Sequence, residues 1–362
     1  SLLDKDATAA GSYTAPDADE TAVAAKAAGT ANGVAKLTIK DANSVLIPNP
    51  SSANVTATVS GVGTVSLNSS LSGATYASSG RAVTGSTSSG VIYAAFYGDG
   101  NSGTSTVTFS VGTTVISTET VTYYGSVATL TGTAKILSIA SGATTSGVIE
   151  VVAKDANGNV VPNVTITGTA SNTTAITAVT AAGDGDSDGD QLVGFTTAST
   201  AAGNYTVTFS DGTVTSSAVT FTVGKTTAKT VTFSTDKDEY APGELVTITV
   251  KALDSNGNPV ADGSHALLAA DATSSVALQG TLPAATPTIA GGVKTYTVYA
   301  PLVAGDVIVK STEGAATDNV VAGGTAATIS VTIKVVEPNG GTSAAIDAAN
   351  EATDAANAAT DA

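Results

Sequence analysis

The residues with the clearest potential for chemistry are the carboxylates of the short stretch "GDGDSDGDQ". Asp184, Asp186 and Asp188 alternate with other residues, Gly189 follows them, and Asp190 stands one position further on. Alternate carboxylates can converge on one calcium ion, and a glycine permits the sharp turn that brings them together. The spacing therefore predicts a calcium site formed by Asp184, Asp186, Asp188 and Asp190.

This predicted calcium site departs from a complete twelve-residue calcium loop in one respect. Such a loop carries a bidentate glutamate at its twelfth position, which is Phe195 here. We therefore expect a modest affinity, with a dissociation constant of about 10⁻⁴–10⁻³ M, as in extracellular calcium modules. The alternative is a solvated acidic hairpin loop without an ion. A second acidic group, Asp236, Asp238 and Glu239, is a further candidate for a cation, although Lys237 lies within it.

Catalytic chemistry has few available residues in this chain. There is no Cys, and His265 is the only histidine; it lies in "DGSHALLAA", which matches no motif for a serine or cysteine nucleophile. General acid–base and nucleophilic catalysis need a base within hydrogen-bond reach of the reacting group. The sequence therefore predicts that this protein is not an enzyme.

The charge balance restricts the partners that this protein can bind. The formal net charge is −16 and the sequence pI is near 4.2. Such a surface repels nucleic acid and anionic lipid, because both need clustered Lys or Arg, whereas it suits divalent cations. No apolar run approaches the ~20 residues of a membrane-spanning helix. We expect no nucleic-acid partner and no membrane span in this segment.

The composition also indicates the cell compartment. There is no Met at any position. We therefore expect that the natural start was removed, most simply by export with cleavage of a signal peptide. This places the protein outside the cell, at its surface.

A strand–turn–strand motif occurs three times and organises the rest of the chain. Asp41, Asp155 and Asp254 occupy equivalent positions in "DANSV", "DANGN" and "DSNGN", and they lie 114 and 99 residues apart. In the second and third copies the Asn-Gly pair is expected to supply the positive φ values of a tight turn, and the Asp to accept hydrogen bonds from turn amides. The first copy lacks the Gly, so we expect its turn to differ.

The segments around these turns alternate with a period of two. In "YTVTFS", Tyr205, Val207 and Phe209 face one way while the intervening hydroxyl residues face the other, and "VTITV" at 246–250 repeats the pattern. This alternation is typical of half-buried strands in packed antiparallel sheets. Short strands between Gly-, Asn- and Asp-rich turns predict an all-β fold of tandem β-sandwiches.

The motif "VxAxDxNGNxV" and the segment "FSTDKDEYAPGELVTITVKALDSNGNPV" resemble the bacterial immunoglobulin-like repeats of invasin- and intimin-type adhesins and of surface-layer proteins. The resemblance covers residues 125–337 well and residues 12–124 weakly. It implies immunoglobulin-like β-sandwiches and an extracellular setting. It does not imply a ligand, because such modules serve many roles.

These observations predict four segments. Residues 1–124 would hold an N-terminal segment and a divergent immunoglobulin-like domain, 125–224 and 225–337 two further domains, and 338–362 a linker and the start of an Ala-rich helix. In this tail Asp347, Asp354 and Asp361 recur every seven residues. Such a heptad predicts a coiled-coil-like helix, which needs association to be stable in water. We expect the natural polypeptide to continue beyond it.

Three functions agree with the sequence. The favoured hypothesis is a self-assembling structural protein of the cell surface, a subunit of a surface-layer (S-layer) array that calcium stabilises. Copies would contact each other in a lattice, and the tail would lead to the cell envelope. The alternatives are an invasin-like adhesin stalk and an extracellular filament in which a segment of one copy completes a sheet of the next. Self-association through two surfaces separates an array or filament from a stalk.

Overall fold

Buried apolar side chains form large clusters that follow one another along the chain. The computed structural model describes residues 2–4, 23–27, 31–46, 53–71, 78–181, 189–337 and 341–360. Within these ranges the large clusters draw on residues 35–123, 130–223 and 228–335. Residues 1–124, 125–224 and 225–337 are called the first, second and third unit below. The exact boundaries between them stay predictions.

The first unit, as far as it is described, has two sheets. One has the strand order β1-β3-β7-β5 and the other the order β2-β9-β8-β4-β6. The strands are β1 (Leu2–Asp4), β2 (Val23–Ala25), β3 (Ala31–Thr38), β4 (Asn54–Ser60), β5 (Thr64–Asn68), β6 (Ala82–Ser86), β7 (Val91–Tyr97), β8 (Gly103–Val111) and β9 (Thr114–Tyr124).

The second unit repeats this plan in a simpler form. Its described strands form one sheet of order β10-β12-β15-β14 and one of order β11-β17-β16-β13. They are β10 (Val127–Ala134), β11 (Ser138–Ala140), β12 (Thr144–Asp155), β13 (Thr167–Ala170), β14 (Ile176–Ala181), β15 (Asp190–Thr197), β16 (Gly203–Ser210) and β17 (Val219–Gly224).

The third unit, which is described throughout, keeps the plan and adds a short extra pair. Its sheets have the orders β18-β19-β24-β22 and β21-β25-β26, and β20 pairs with β23. The elements are β18 (Thr230–Thr235), β19 (Leu245–Leu253), β20 (Gly263–Ser264), β21 (Thr273–Ser274), β22 (Gln279–Gly280), β23 (Thr288–Ile289), β24 (Val293–Tyr299), β25 (Gly305–Thr312), the short helix α1 (Asp318–Val321) and β26 (Thr328–Val335).

The same connectivity in each unit defines the fold class. The first strands of each unit join both sheets. In the second unit, β10 pairs antiparallel with β12 in one sheet, and β11 pairs parallel with the last strand, β17, in the other. β1 and β2 do the same, and in the third unit Tyr240 makes the parallel bridge to Val335. Apart from this divided first strand, the sheet orders β10-β12-β15-β14 and β17-β16-β13 match the ABED and GFC sheets of the immunoglobulin fold. The expected all-β fold of tandem immunoglobulin-like sandwiches is confirmed.

The period-two pattern of the strands builds the cores. Val207 and Phe209 are buried while the alternating hydroxyl residues are partly exposed, and the valine and isoleucine side chains of 246–250 are fully buried. In the second unit, Phe195 of one sheet stacks on Phe221 of the other, with ring centroids 4.6 Å apart. This pair is one of the contacts between the two sheets.

The C-terminal element is the helix α2 (Gly341–Thr360), in which residues 347–360 are exposed. Its hydroxyl residues Thr353 and Thr360 donate hydrogen bonds to the carbonyls four residues earlier, at 2.7 and 2.8 Å. The association of this helix into a coiled coil stays a prediction.

The stacked pair leads to a stability prediction. Phe195→Ala should lower the free energy of unfolding of the second unit by about 3–5 kcal/mol, because it leaves a cavity between the sheets. Leu192→Ala, in the same strand but 43% exposed, should change it by no more than about 0.5 kcal/mol. Urea denaturation followed by circular dichroism measures both, and equal losses would contradict the packing described here.

Candidate functional site: the repeated turns and the unit junctions

The repeated Asp closes a three-residue turn after the second main strand of each unit. In the second unit, Asp155 donates its N–H to the carbonyl of Asn159 at 2.8 Å and accepts the N–H of Gly158 at 3.0 Å on its own carbonyl. Gly158 has a φ of 82°, and no such value occurs at Asn157. The third unit repeats this with Asp254 and Gly257, whose φ is 79°. Only the Gly of each Asn-Gly pair therefore supplies a positive φ.

The turn of the first unit has the same geometry, so the expectation that it would differ is wrong. Asp41 donates to Val45 at 2.8 Å and accepts from Ser44 at 3.0 Å. Ser44 takes the glycine position with a φ of 64°. As in the other two turns, the carboxylate Oδ1 accepts two turn amides, here the N–H groups of Asn43 and Val45, each at 2.9 Å.

The carboxylates of the second and third units make a further contact, to the first residue of their own unit. Oδ1 of Asp155 accepts the amides of Asn157 and Asn159 at 2.9 Å, as predicted for an Asx cap. Its Oδ2 accepts the N–H of Gly125 at 2.8 Å. Oδ2 of Asp254 likewise accepts the N–H of Lys225 at 3.1 Å. One side chain thus joins the turn to the segment that enters from the preceding unit.

This second contact was not predicted from the sequence. The available signal was the spacing, because the Asp follows the start of its unit by 30 residues in the second unit and by 29 in the third. Asp155 and Asp254 are 4% and 2% exposed, whereas Asp41 is exposed. The carboxylate is therefore buried in both units that follow another unit.

The hydrogen bonds around Asp155 set its ionisation. Burial disfavours the charged carboxylate, but bonds from the Gly125 amide, the Asn159 side chain and amide, and the Asn157 amide outweigh it and lower the pKa. Asp155 therefore stays ionised in the folded protein at pH values at which the same carboxylate in an unfolded chain is protonated.

The first and second units meet at the same turn. The side-chain Nδ2 of Asn157 donates to Oγ of Ser102, in the loop that precedes β8, at 2.5 Å. Lys26 of the first unit also donates its N–H to the carbonyl of Tyr124, at the end of β9, at 2.9 Å. The last strand of the first unit is thereby held where the second unit begins.

The second and third units meet through Asp262, which follows the turn of the third unit. Its Oδ2 accepts the N–H of Leu137 at 2.8 Å, and its own N–H donates to the carbonyl of Ser138 at 2.7 Å. Its Oδ1 accepts the N–H of Gly291 within the third unit at 2.6 Å. Asp262 therefore joins the two units by hydrogen bonds on both sides of the junction.

Close backbone packing completes this junction. Ser138 donates its hydroxyl to the carbonyl of Pro259 at 3.0 Å. A Cβ on Gly224 would lie 2.0 Å from the same carbonyl oxygen, so no residue larger than glycine fits there without a shift. Neither Asp262 nor Gly224 was singled out from the sequence. No local pattern reveals the contact of Asp262 with Leu137, 125 positions away, or the close approach of Gly224 to Pro259 of the next unit.

The predicted calcium site falls largely outside the described residues. Asp184, Asp186 and Asp188 lie there, and Asp190 is the first residue of β15, where its Cα is paired with Val152. Near it, Glu150 has a lowered pKa, chiefly because of a bond from Lys135 at 3.1 Å and then because of Asp190. The calcium site stays a prediction.

The second acidic group is used within the third unit. Asp236 accepts the N–H of Thr247 at 2.7 Å and the hydroxyl of Tyr240 at 2.8 Å, while Glu239 pairs with Lys334 at 2.6 Å. No group of three acidic, His or Cys side chains that could hold a metal is found in the described part of the chain. The structure does not bring these three carboxylates together around a common point.

His265 has a local structural contact. One ring nitrogen, Nε2, lies 2.7 Å from the carbonyl oxygen of Ala261 in the connection that follows the repeated turn. Among the described residues, no helix has both the length and the apolar character needed to cross a membrane.

The topology and the repeated junctions define a class: a tandem array of immunoglobulin-like sandwiches whose units are joined directly by hydrogen bonds. No protein-family model matches the chain, and no curated protein matches its sequence. Similar solved structures are found.

Three of these structures are FdeC, an adhesin of Escherichia coli; invasin, a bacterial integrin-binding protein; and domains 4–9 of the surface-layer protein SbsC. FdeC is 16% identical, with 84% of this chain and 92% of that chain covered and a TM-score of 0.29. Invasin is 17% identical, with 87% and 58% covered and a TM-score of 0.29. The SbsC fragment is 17% identical, with 86% and 43% covered and a TM-score of 0.25. At these values the fold class rests on the topology described above.

The buried carboxylate leads to a pH prediction. Asp155→Asn should lower the free energy of unfolding at pH 7 by about 1–3 kcal/mol, because an amide group then faces the N–H of Gly125. Since the folded pKa of Asp155 is lowered, its contribution is complete above the unfolded pKa of about 3.9 and is lost as the pH falls through the folded pKa. The variant should show a shallower loss of stability below about pH 4.

The matched control for this prediction is Asp41→Asn. Asp41 is exposed and its carboxylate accepts hydrogen bonds from the turn amides of Asn43 and Val45, so the variant should cost less than Asp155→Asn. Equal losses at pH 7, or parallel acid-unfolding curves for wild type and Asp155→Asn, would contradict the proposed role of Gly125.

The junction between the second and third units leads to a dynamic prediction. Asp262→Ala should accelerate hydrogen exchange of the Leu137 amide about tenfold or more, because that amide loses its acceptor. Asp271→Ala removes a comparable bond to Ala285 within the third unit and should leave Leu137 unchanged. Residue-resolved hydrogen exchange separates the two variants, and an unchanged Leu137 in Asp262→Ala would refute the contact.

Proposed function

We propose that this protein is a structural, self-assembling protein of the cell surface, a subunit of a surface-layer-type array. The observation that carries this proposal is the hydrogen-bonded junction between consecutive sandwiches. Asp262 and Ser138 bind backbone groups across it, and glycine at position 224 allows close backbone contact. Units joined in this way keep their spacing under load, which a lattice subunit needs.

The charge supports a role for calcium in this proposal. A net charge of −16 makes copies of the chain repel each other, and the repulsion decreases with ionic strength and with bound cations. The loop with Asp184, Asp186, Asp188 and Asp190 is the proposed calcium site. Calcium would offset the acidic charge, and the helix α2 would lead toward the cell envelope.

A second candidate is an invasin-like adhesin stalk. The same junctions favour it, because a stalk also needs stiff connections to hold a binding surface away from the cell. It differs from the array in self-association, since a stalk works as a single copy or a small bundle. An extracellular filament completed by strand exchange between copies is the third candidate.

Electron microscopy of the purified chain tests these functions. In millimolar calcium we expect ordered sheets, and after addition of a chelator we expect them to dissolve, because the acidic copies then repel each other. The variant with Asp184, Asp186 and Asp188 all replaced by Asn should require more calcium for assembly. Isolated particles in both conditions would reject the array and favour the stalk.

A further inference from the structure

Each sandwich has two distinct ends. The leading end carries the repeated turn, and the trailing end carries the loop before the penultimate strand, namely residues 98–102, 198–202 and 300–304. These loops are equivalent, because each ends at a glycine that opens the next strand with positive φ: Gly103, Gly203 and Gly305. In the first junction, the trailing loop supplies Ser102 to Asn157 of the next leading end.

The leading end of the first unit carries exposed apolar residues. Val45 in its turn is 59% exposed and Leu46 is 44% exposed. The hairpin between β8 and β9 brings Val115, 58% exposed, and Ile116, 38% exposed, to the same end. A cleft of about 290 Å³ opens beside them, lined by Leu37, Ile39 and Ile116 together with Thr38, Lys40 and Ser117.

The trailing end of the third unit also carries exposed apolar residues. Leu302 and Val303 in its loop are 81% and 76% exposed, the largest such values among the described large apolar residues. Leu245 and Tyr299, directly paired at the start of β19 and the end of β24, are 47% and 48% exposed beside them. Clustered exposed apolar residues mark interaction sites.

The internal junctions indicate how these two ends fit together. When the first and third units are aligned on the repeated Asp, Leu46 is equivalent to Pro259. Pro259 contacts Ser138 and Gly224 of the preceding unit. When the first and second units are aligned in the same way, Asn43 is equivalent to Asn157. Alignment on the strand-opening glycine gives Ala304 the position of Ser102.

We propose that the leading end of the first unit docks on the trailing end of the third unit of a second copy. This inference rests on the proposed function and names the partner in its self-assembly. Leu302 and Val303 pack against Val45, Leu46 and the cleft, in the arrangement that joins units within the chain. The contact is head-to-tail, so it repeats from copy to copy and forms a row. Its attraction is apolar, so salt, which screens the acidic repulsion, strengthens it.

Engineered disulfides test this contact, because the natural chain has no Cys. Full-length Asn43→Cys and full-length Ala304→Cys are mixed under mild oxidation, and non-reducing electrophoresis measures linked dimers. We expect dimers in the mixture at a yield at least tenfold above that of Asn43→Cys mixed with Thr295→Cys, whose cysteine lies in the middle of β24. Ser102→Cys with Asn157→Cys in one chain is the control for reactivity at an existing junction.

A second pair of variants tests the apolar contact itself. Leu302→Asp combined with Val303→Asp, added to the Ala304→Cys chain, should reduce the dimer yield at least tenfold, while thermal unfolding shows that the exposed loop tolerates the change. Val45→Asp in the Asn43→Cys chain changes the leading end instead and should also reduce the dimer yield at least tenfold. Yields at the Thr295→Cys level, or yields unaffected by the Asp substitutions, would overturn the contact. If helix α2 occupies the trailing end instead, no dimers form, and the contact is likewise overturned.

These results are separable from those of the proposed function. If sheets form in the microscope but Asn43→Cys and Ala304→Cys give no disulfide-linked dimers, this contact is rejected and the proposed array still stands. If the two variants form linked dimers but the microscope shows single rows and no sheets, this contact is supported and the array is rejected.

Discussion

The structure depends on a buried carboxylate that binds backbone amides from two directions. An ionised side chain is expensive to bury unless its oxygens are hydrogen-bonded. Asp155 satisfies this need only when the turn and the entering segment are both in place, because the turn supplies Asn157 and Asn159 and the entering segment supplies Gly125. Displacement of either segment would leave the buried charge with fewer hydrogen bonds. The turn and the entering segment therefore stabilise each other in the second and third units.

Small side chains are the second constraint. The cores are mainly Val, Ala and Ile, with few aromatic residues, so each sandwich is stabilised by close packing of β-branched side chains on its inner faces. The same preference for small residues lets backbones approach at the unit ends, as Gly224 does with Pro259. Hydrogen bonds made by Asp262 and Ser138 then hold the junction.

Local patterns predicted much of this fold. The alternation of Val207 and Phe209 with hydroxyl residues identified strands and their buried faces, and the Asp-Asn-Gly spacing identified the turns. The pattern failed at the first turn and at the unit junctions. Ser44 adopts a glycine-like conformation in a turn that the Asp41 side chain binds just as Asp155 and Asp254 bind theirs. Asp262 and Gly224 could not be found in advance, because their roles depend on which ends of two separate sandwiches meet.

The candidate site also shows what sequence patterns overlook. The acidic loop with Asp184 drew attention through its charge, whereas the residues that join the units are ordinary in type and distant in sequence. In our account, function arises from the way sandwiches are stacked, within the chain and between copies. The proposed array and the proposed head-to-tail contact both require that consecutive units form one stiff body.

Distance measurement between spin labels tests this requirement most directly. Labels at Thr180→Cys in the second unit and Thr295→Cys in the third are both on exposed strand positions, and the natural chain has no Cys to interfere. Pulsed dipolar spectroscopy should give one narrow distance distribution, and Asp262→Ala should broaden it. A broad distribution in the otherwise unaltered chain would contradict the account.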